Sequence, residues 1–177
     1  MIGVFVVCPT IIFLIFSMAS SDESLEKVLR VAQTAARTAG KKIRDAVLSS
    51  ENVKLATKSA TTDLVTETDE ECERLIIEQI KSNFPDAKII GEESSGSDRY
   101  ELGDSATFVV DPIDGTANFV HRLKMSCVLI AYIVNKVVKV GVIYDPFADE
   151  MFWAIGEKGA FLSIGDGSLI QFTYRRY

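Results

Sequence analysis

The sequence has few of the residues that build zinc-bound and disulfide-linked folds. It contains a single histidine, His121, which excludes a multi-histidine zinc site. Its 3 cysteines are scattered and lack metal-ligand spacing, so a disulfide framework is not expected and a reducing, cytoplasmic compartment is favoured. Basic residues are also in deficit, because 19 Lys and Arg against 25 Asp and Glu leave a net charge of −6. This charge argues against a nucleic-acid partner.

Charged residues are missing altogether before Asp22, and residues 1–18 form a nearly continuous apolar leader. Its length permits a membrane span or a secretory signal peptide, and Ser17-Met18-Ala19 offers a small-x-small cleavage pattern. However, the leader has no basic segment at its start, and Ala19–Glu23 is typical of the beginning of a soluble protein. The leader is therefore a signal, an anchor or a mispredicted extension. Secretion or membrane contact is expected only if it is retained.

Acidic residues, in contrast, are plentiful and stand at the ends of predicted elements. The apolar run Thr107–Val110 predicts a buried strand, and Asp111-Pro112-Ile113-Asp114-Gly115-Thr116 follows it. We expect Asp111 at the carboxyl end of this strand, because Pro112 cannot continue the ladder, and Gly115-Thr116 can open a helical turn. Two carboxylates three residues apart can hold one or two Mg²⁺ ions beside a phosphate bound at the helix start.

An ordinary turn is the alternative interpretation of this segment, since Asp, Pro and Gly are common turn residues. Two further segments favour a site. Ile89-Ile90-Gly91-Glu92-Glu93 is another short apolar run that ends in paired carboxylates. Asp63–Asp69 adds a third acidic segment at a predicted helix start. Three separate segments thus each present acids at the end of an element.

In order and separation, the segments Asp63–Asp69, Gly91–Ser94 and Asp111–Thr116 resemble the motifs of the inositol monophosphatase family. Members of this family are Mg²⁺-dependent, Li⁺-sensitive phosphatases. The resemblance extends over residues 25–162, and Asn118–His121 favours the inositol monophosphatase branch over its bisphosphatase cousins. The sequence departs from the branch at Ala117, usually a second threonine, and at residues 122–126, which replace a more aromatic segment.

The resemblance implies a set of metal ligands. One Mg²⁺ would be held by Glu92, Asp111 and the carbonyl of Ile113, and a second by Asp111 and Asp114. Glu92 is also counted among the catalytic residues, and Glu93 is a secondary candidate beside it. The implied substrate is a small phosphate monoester.

The resemblance also implies the remaining roles at the site. Thr116, oriented by Asp69, would position or deprotonate the attacking water. The phosphate would contact Asp114 and the backbone N–H groups of Gly115 and Thr116. Lys58 would lie in a loop near the mouth of the site and help to retain a metal-bound water, while a solvated surface lysine is the alternative.

Periodicity predicts two helices. Between Asp22 and Leu48, apolar residues recur at steps of three and four, which indicates one long amphipathic helix. Thr68 is expected to cap a second helix, with Glu71 completing a capping box and Asp69 in the first turn. There Asp69 could merely complement the helix dipole. We expect the first helix to serve packing, while the resemblance makes Asp69 on the second helix a catalytic partner of Thr116.

The remaining periodicity predicts a sheet. Residues 126–134 and 137–144 are strand-like runs around Asn135-Lys136, a plausible hairpin turn, and residues 151–155 and 159–162 add two shorter strands. The predicted fold class is α+β, with two helices packed on a largely antiparallel sheet. This arrangement is similar to the amino-terminal half of the family's layered sandwich.

We divide the chain into the leader 1–18, a domain 19–162 that resembles the amino-terminal half of the family, and a divergent tail 163–177. In the family, a second α/β half follows and supplies a further aspartate in a Trp-Asp motif. The sequence has 1 tryptophan, Trp153, and alanine follows it. The tail is therefore expected to replace a missing second half.

These features predict a Mg²⁺-dependent hydrolase of inositol monophosphate or a related sugar phosphate, weakened by the loss of the second half. The alternative is a non-catalytic metal-binding fragment, or a subunit of a full-length phosphatase. An uncovered sheet edge and face also predict a homodimer or an aggregate.

Overall fold

A computed structural model describes residues 23–49, 55–57, 64–95, 102–156, 158–165 and 167–172. The leader 1–18, Asp63 and Lys58 lie outside the described residues, so the interpretations that rest on them stay predictions. Within these ranges the helices are α1 (Glu23–Leu48), α2 (Glu67–Asn83), α3 (Glu92–Ser95) and α4 (Thr116–Val120).

The strands of the described ranges form two sheets. A small antiparallel pair consists of β1 (Leu55–Thr57) and β2 (Leu64–Thr66). The main sheet contains, in this spatial order, β3 (Lys88–Gly91), β4 (Thr107–Asp114), β5 (Cys127–Val134), β6 (Val137–Asp145), β7 (Glu150–Ile155), β8 (Gly159–Ile164) and β9 (Leu169–Phe172). Only the β3–β4 pair is parallel among these neighbours. The predicted α+β class, with two main helices on a mostly antiparallel sheet, is confirmed.

Helix α1 is the long amphipathic helix that the periodicity predicts. Its buried stripe includes Ala32, Ala36, Ala39 and Ile43, which are at most 1% exposed. The small side chains let the helix approach the sheet, where Phe108, Val110, Val128, Ile130, Val140 and Val142 form the facing layer of the core. Burial of each valine, isoleucine or phenylalanine side chain in this layer contributes about 1.5–3 kcal/mol, so the helix–sheet interface is a large source of stability.

The start of α2 differs from the prediction. The helix begins at Glu67, directly after β2 ends at Thr66, so Thr68 lies inside the first turn and is not its cap. The strand runs straight into the helix and leaves no position for the expected cap. Asp69 does lie in the first turn, as predicted.

The end of β4 also differs from the prediction. Pairing with β5 is regular as far as Asp111, which lies opposite Leu129, and then shifts before it resumes at Asp114. Pro112 and Ile113 fall in this irregularity, so the missing N–H of the proline leaves no gap in a regular ladder. The strand therefore continues to Asp114 and does not end at Pro112.

The turn between β5 and β6 matches the hairpin prediction. Asn135 and Lys136 have φ values of 51° and 60°, the left-handed conformation that a two-residue hairpin turn requires at both positions. Strand β9, in contrast, lies in the tail and was not predicted. It pairs antiparallel with β8 through residues 169–172.

The two faces of the sheet are covered unequally. Helices α1 and α2 pack on one face, while the other carries half-buried apolar side chains, such as Ile143 and Phe152. On β9, Ile170 and Phe172 are 46% and 47% exposed, and the Phe172 ring stacks 6.4 Å from that of Phe152. We call this side of the sheet the open face. Of the helices in the described ranges, none combines the length and the hydropathy needed to cross a bilayer.

Candidate active site

The parallel register of β3 and β4 brings two of the predicted acidic segments together. Gly91 lies opposite Val110. Glu92 and Asp111 follow these two residues, and both strands point the same way, so the two acids emerge at the same edge of the sheet. The two carboxyl groups lie close enough for Glu92 to raise the pKa of Asp111. Glu92 and Asp111 are 19 positions apart in the sequence, and this separation alone does not predict that they meet.

The Asp111 carboxyl group is strongly perturbed by its surroundings. Burial, together with the neighbouring Glu92 and Asp114 carboxylates, raises the pKa of Asp111 to about 9. One of its oxygens, Oδ1, is buried without a hydrogen-bond partner. The site therefore concentrates negative charge beside an oxygen that the described protein groups leave unsatisfied.

Asp114 and its neighbour Cys127 form the outer part of the site. The Asp114 side chain is exposed, and its Oδ2 accepts a hydrogen bond of 3.7 Å from the Cys127 thiol. Burial and the Asp114 carboxylate raise the pKa of that thiol, so it remains protonated and can donate. Cys127 is paired with Asp114 across the irregular part of the β4–β5 ladder.

Asp69 and Thr116 meet behind the acidic cluster. Asp69 is completely buried, and its Oδ1 lies 3.5 Å from the Thr116 hydroxyl. The same hydroxyl donates a shorter hydrogen bond, 3.0 Å, to the carbonyl of Ile113. Thr116 can thus direct its proton to either acceptor, and the distance to Asp69 is at the long limit for such a bond.

The turn into α4 is held by contacts from residues 122–126. Gly115 has a φ of 89°, and a Cβ atom there would lie 2.9 Å from the Met125 carbonyl oxygen. That carbonyl accepts a 2.9 Å hydrogen bond from the Asn118 side chain, and Ser126 donates to the Gly115 carbonyl at 3.2 Å. A segment that departs from the family pattern in sequence therefore still closes on the predicted phosphate-binding turn.

Two predicted site residues remain, Glu93 and Lys58, and the structure describes only the first. Glu93 is partly buried, and its backbone N–H donates to the buried carboxylate of Glu73. Lys58 lies outside the described residues. Sequence reasoning missed Glu73, Asn118 and Ser126. The signal for Glu73 was available, because it lies four residues after Asp69 on the same helix face.

The carboxylates at the edge of the sheet suit a hard cation. In the part of the chain that the structure describes, no three histidine, cysteine, aspartate or glutamate side chains are already arranged to hold a metal ion. The donor chemistry nevertheless fits Mg²⁺, which prefers carboxylate oxygens. A cation would also satisfy the buried Asp111 Oδ1 and offset the repulsion among Glu92, Asp111 and Asp114.

Comparisons with known proteins identify relatives in sequence and in fold. A model of the inositol monophosphatase family matches residues 24–172. Inositol monophosphatase 1 of Solanum lycopersicum is 45% identical over 141 residues, which are 79% of this chain and 50% of that protein. The solved structure of Thermotoga maritima IMPase has a TM-score of 0.65 at 32% identity, and the match covers 80% of this chain and 51% of that one.

A third similar protein is an IMPase/NADP phosphatase solved with Mg²⁺ and phosphate. Its TM-score is 0.67 at 24% identity, with 79% of this chain and 52% of that chain covered, so the likeness shows the shared fold alone. The chain spans about half the length of the curated relatives it matches, roughly their amino-terminal half. The family match over 149 residues, together with these identities, shows that the chain belongs to the inositol monophosphatase family.

Proposed function

We propose that the chain forms the amino-terminal, metal-binding part of a Mg²⁺-dependent phosphate monoester hydrolase acting on inositol monophosphate or a related sugar phosphate. The observation that carries this proposal is the convergence of Glu92, Asp111 and Asp114 at one edge of the sheet, with Asp69 and Thr116 directly behind. An ordinary turn would not need three mutually repelling carboxylates.

In this proposal Glu92, Asp111, the Ile113 carbonyl and Asp114 hold Mg²⁺. The bound metal would supply a water of lowered pKa and electrostatic stabilisation of the phosphate. The backbone N–H groups of Gly115 and Thr116 bind the phosphate oxygens, and Asp114 would contact the phosphate through the metal ion that it holds. Glu93 stands beside the ligands as a secondary candidate, and the role of Lys58 stays a prediction.

Thr116 and Asp69 form the pair that orients the attacking water. When the Thr116 hydroxyl directs its proton to Asp69 Oδ1 and not to the Ile113 carbonyl, its oxygen lone pairs can accept a hydrogen bond from the attacking water. Because Asp69 is fully buried, its carboxylate is held by the helix and cannot rotate away into solvent. The pair therefore orients the water with little reorganisation.

We expect the 177-residue chain by itself to be a slow catalyst. It contains no Trp-Asp pair, which the resemblance implies as a further ligand of the second metal. Losing one well-placed electrostatic contact typically costs about 10²–10³ in rate. The measurement is phosphate release from inositol 1-phosphate across a Mg²⁺ titration, with Glu92→Gln as the inactive variant and Glu78→Gln as a matched surface control.

Low, Li⁺-inhibited turnover that Glu92→Gln removes and Glu78→Gln retains would support the proposal. Rates identical in all three proteins would contradict it. Robust turnover lost only in Glu92→Gln would instead mean that this part of the site suffices for the reaction.

A second candidate function is that of a subunit that works through association with another chain. The open face favours it, because Ile170 and Phe172 are exposed on the terminal strand. Exposed apolar patches of this kind commonly mark interaction sites. We expect dimers or larger species by size-exclusion chromatography, and a shift toward monomer in Ile170→Lys/Phe172→Lys. An unchanged profile in that variant would exclude β9 from the contact.

The cysteine residues support a cytoplasmic location. Cys72 and Cys127 are both free thiols, and each is at least half-buried. If the leader 1–18 is retained, the alternative location is the secretory pathway or a membrane. Fractionation of cells that express the tagged chain, with and without residues 1–18, distinguishes the two.

A further inference from the structure

A second buried acid on α2, outside the predicted site, contacts the segment that carries Glu92. Glu73 is 3% exposed. Its Oε2 accepts a 2.7 Å hydrogen bond from the N–H of Glu93, and its Oε1 accepts a 2.8 Å bond from the N–H of Ser94. Both N–H groups belong to the first turn of α3, where no intrahelical acceptor exists. One carboxylate thus satisfies two donors at the start of this helix.

Gly91 makes room for this contact. A Cβ atom at Gly91 would lie 2.6 Å from Glu73 Oε1 and closer still to the carboxyl carbon. Real Cβ atoms do not approach oxygen so closely, so any other residue at this position would displace the carboxylate from the two N–H groups. We call Glu73, Gly91 and the two N–H groups the α3 clamp.

The α3 clamp lies next to the acidic cluster. Gly91 is the last residue of β3, and Glu92 is the first residue of α3. The direction of the backbone through this junction decides where the Glu92 carboxylate points. Because the parallel register places Glu92 beside Asp111, a change in that direction would separate the two carboxyl groups.

Helix α2 connects the two halves of the site. Asp69 and Glu73 are both buried and stand one turn apart on the same face. Asp69 reaches Thr116 after β4, while Glu73 reaches the start of α3 after β3. A rigid helix therefore sets the spacing between the residue that orients water and the residues that bind metal.

We propose that Glu73 is a positioning residue that holds Glu92 in place for metal binding through the α3 clamp. The inference rests on the proposed function, because it assigns Glu92 to the metal. Both carboxylate oxygens of Glu73 accept from backbone N–H groups, so Glu73 acts on the site through the backbone that carries Glu92. A carboxylate that only capped α3 would stabilise the fold without changing the position of Glu92 or the affinity for metal.

The main test variant is Glu73→Gln in the full chain. Glutamine keeps the shape but has one acceptor oxygen, and its NH₂ group would face one of the two N–H donors. Glu78→Gln is the matched control, because Glu78 lies on the same helix but is exposed and paired with Arg74. Gly91→Ala is a second, independent variant, in which the added Cβ displaces the Glu73 carboxylate.

Three readouts apply to each folded variant. Amide hydrogen exchange at Glu93 and Ser94 reports on the clamp, the ¹³C shift of the Glu92 side-chain carboxyl reports on its position, and calorimetric titration with Mn²⁺ reports on metal affinity. We expect faster exchange, a moved Glu92 signal and about 10–100-fold weaker Mn²⁺ binding in Glu73→Gln and Gly91→Ala. Glu78→Gln should match the wild-type chain in all three.

Faster exchange with an unmoved Glu92 signal and Mn²⁺ affinity within about twofold of wild type would overturn the proposal and leave an ordinary cap. If the wild-type chain binds no Mn²⁺, the proposed function fails. The Glu92 carboxyl signal then decides the positioning role alone: a shift in both clamp variants supports it, and no shift refutes it.

Discussion

Replacing Asp111 by asparagine should stabilise the metal-free protein and at the same time abolish its response to Mg²⁺. The substitution keeps the size and shape of the side chain but removes a carboxyl group whose ionisation the fold opposes. In the wild-type chain, burial and the Glu92 and Asp114 carboxylates oppose ionisation of Asp111, and its Oδ1 is buried without a partner. The asparagine NH₂ group can instead donate to Glu92.

The size of both effects follows from the same geometry. Asparagine cannot ionise, so Asp111→Asn removes the cost of keeping this buried carboxyl group protonated while the unfolded chain ionises it. The free energy of unfolding without metal should rise by about 1–3 kcal/mol. Mg²⁺ that binds only the folded wild-type chain stabilises it by about 4.1 kcal/mol at a concentration 1,000 times its Kd. This gain exceeds the first effect, so the order of stabilities should reverse between EDTA and saturating Mg²⁺.

The assay is urea unfolding of wild type, Asp111→Asn and the control Asp86→Asn, each in EDTA and in Mg²⁺. Asp86 is exposed and lies before β3, at the end opposite Glu92. We expect the control to follow wild type under both conditions. If Asp111→Asn is less stable than wild type in EDTA, Asp111 is a structural turn residue. If Mg²⁺ stabilises wild type and Asp111→Asn equally, Asp111 is not a metal ligand.

Three further substitutions test other parts of the structure. Tyr144→Phe removes the 2.9 Å hydrogen bond that lowers the pKa of Asp149, at a cost of about 0.5–1.5 kcal/mol. Because that stabilisation needs the carboxylate, the deficit in urea unfolding should fade as pH falls below about 4, and a constant deficit would contradict the argument. Gly40→Ala places a Cβ 2.5 Å from Tyr144 Cε1. Crowding should cost about 1–3 kcal/mol, which outweighs the roughly 0.5–1 kcal/mol gained in helix propensity, so the variant should be less stable. A raised midpoint of urea unfolding would contradict this expectation. Thr116→Ala should slow phosphate release about 10²–10⁴-fold while Thr116→Ser retains most of it, and equal losses would argue against a role for the hydroxyl oriented by Asp69.

Elements governed by neighbouring residues could be predicted from the sequence. The spacing of apolar residues is enough to predict α1. The pair Asn135 and Lys136, which the structure shows in the left-handed conformation, is enough to predict the β5–β6 turn. The acidic motif Glu92-Glu93 likewise identifies the end of β3, because carboxylates after a short apolar run are a local pattern. These features depend on interactions within a few residues.

Predictions about element boundaries were less accurate, because long-range pairing overrides local preference. Pro112 has no N–H to donate, yet β4 resumes pairing at Asp114 through a shift of register with β5. Strand β9 has a weak local signal, and it forms because β8 offers a pairing edge. Thr68 is a good cap by residue type, but the junction with β2 starts α2 at Glu67.

The sequence by itself determined which residue types are available to the site and which element carries each of them. Tertiary structure decided their electrostatic state and their contacts, because both depend on groups distant along the chain. Asp111 is perturbed by Glu92, which the parallel β3–β4 register places beside it. Asp69 reaches Thr116, 47 residues away, and Glu73 reaches Glu93, 20 residues away, only because α2 packs against the end of the sheet. Coulomb and hydrogen-bond energies depend on distance in space, and only the packed fold sets that distance.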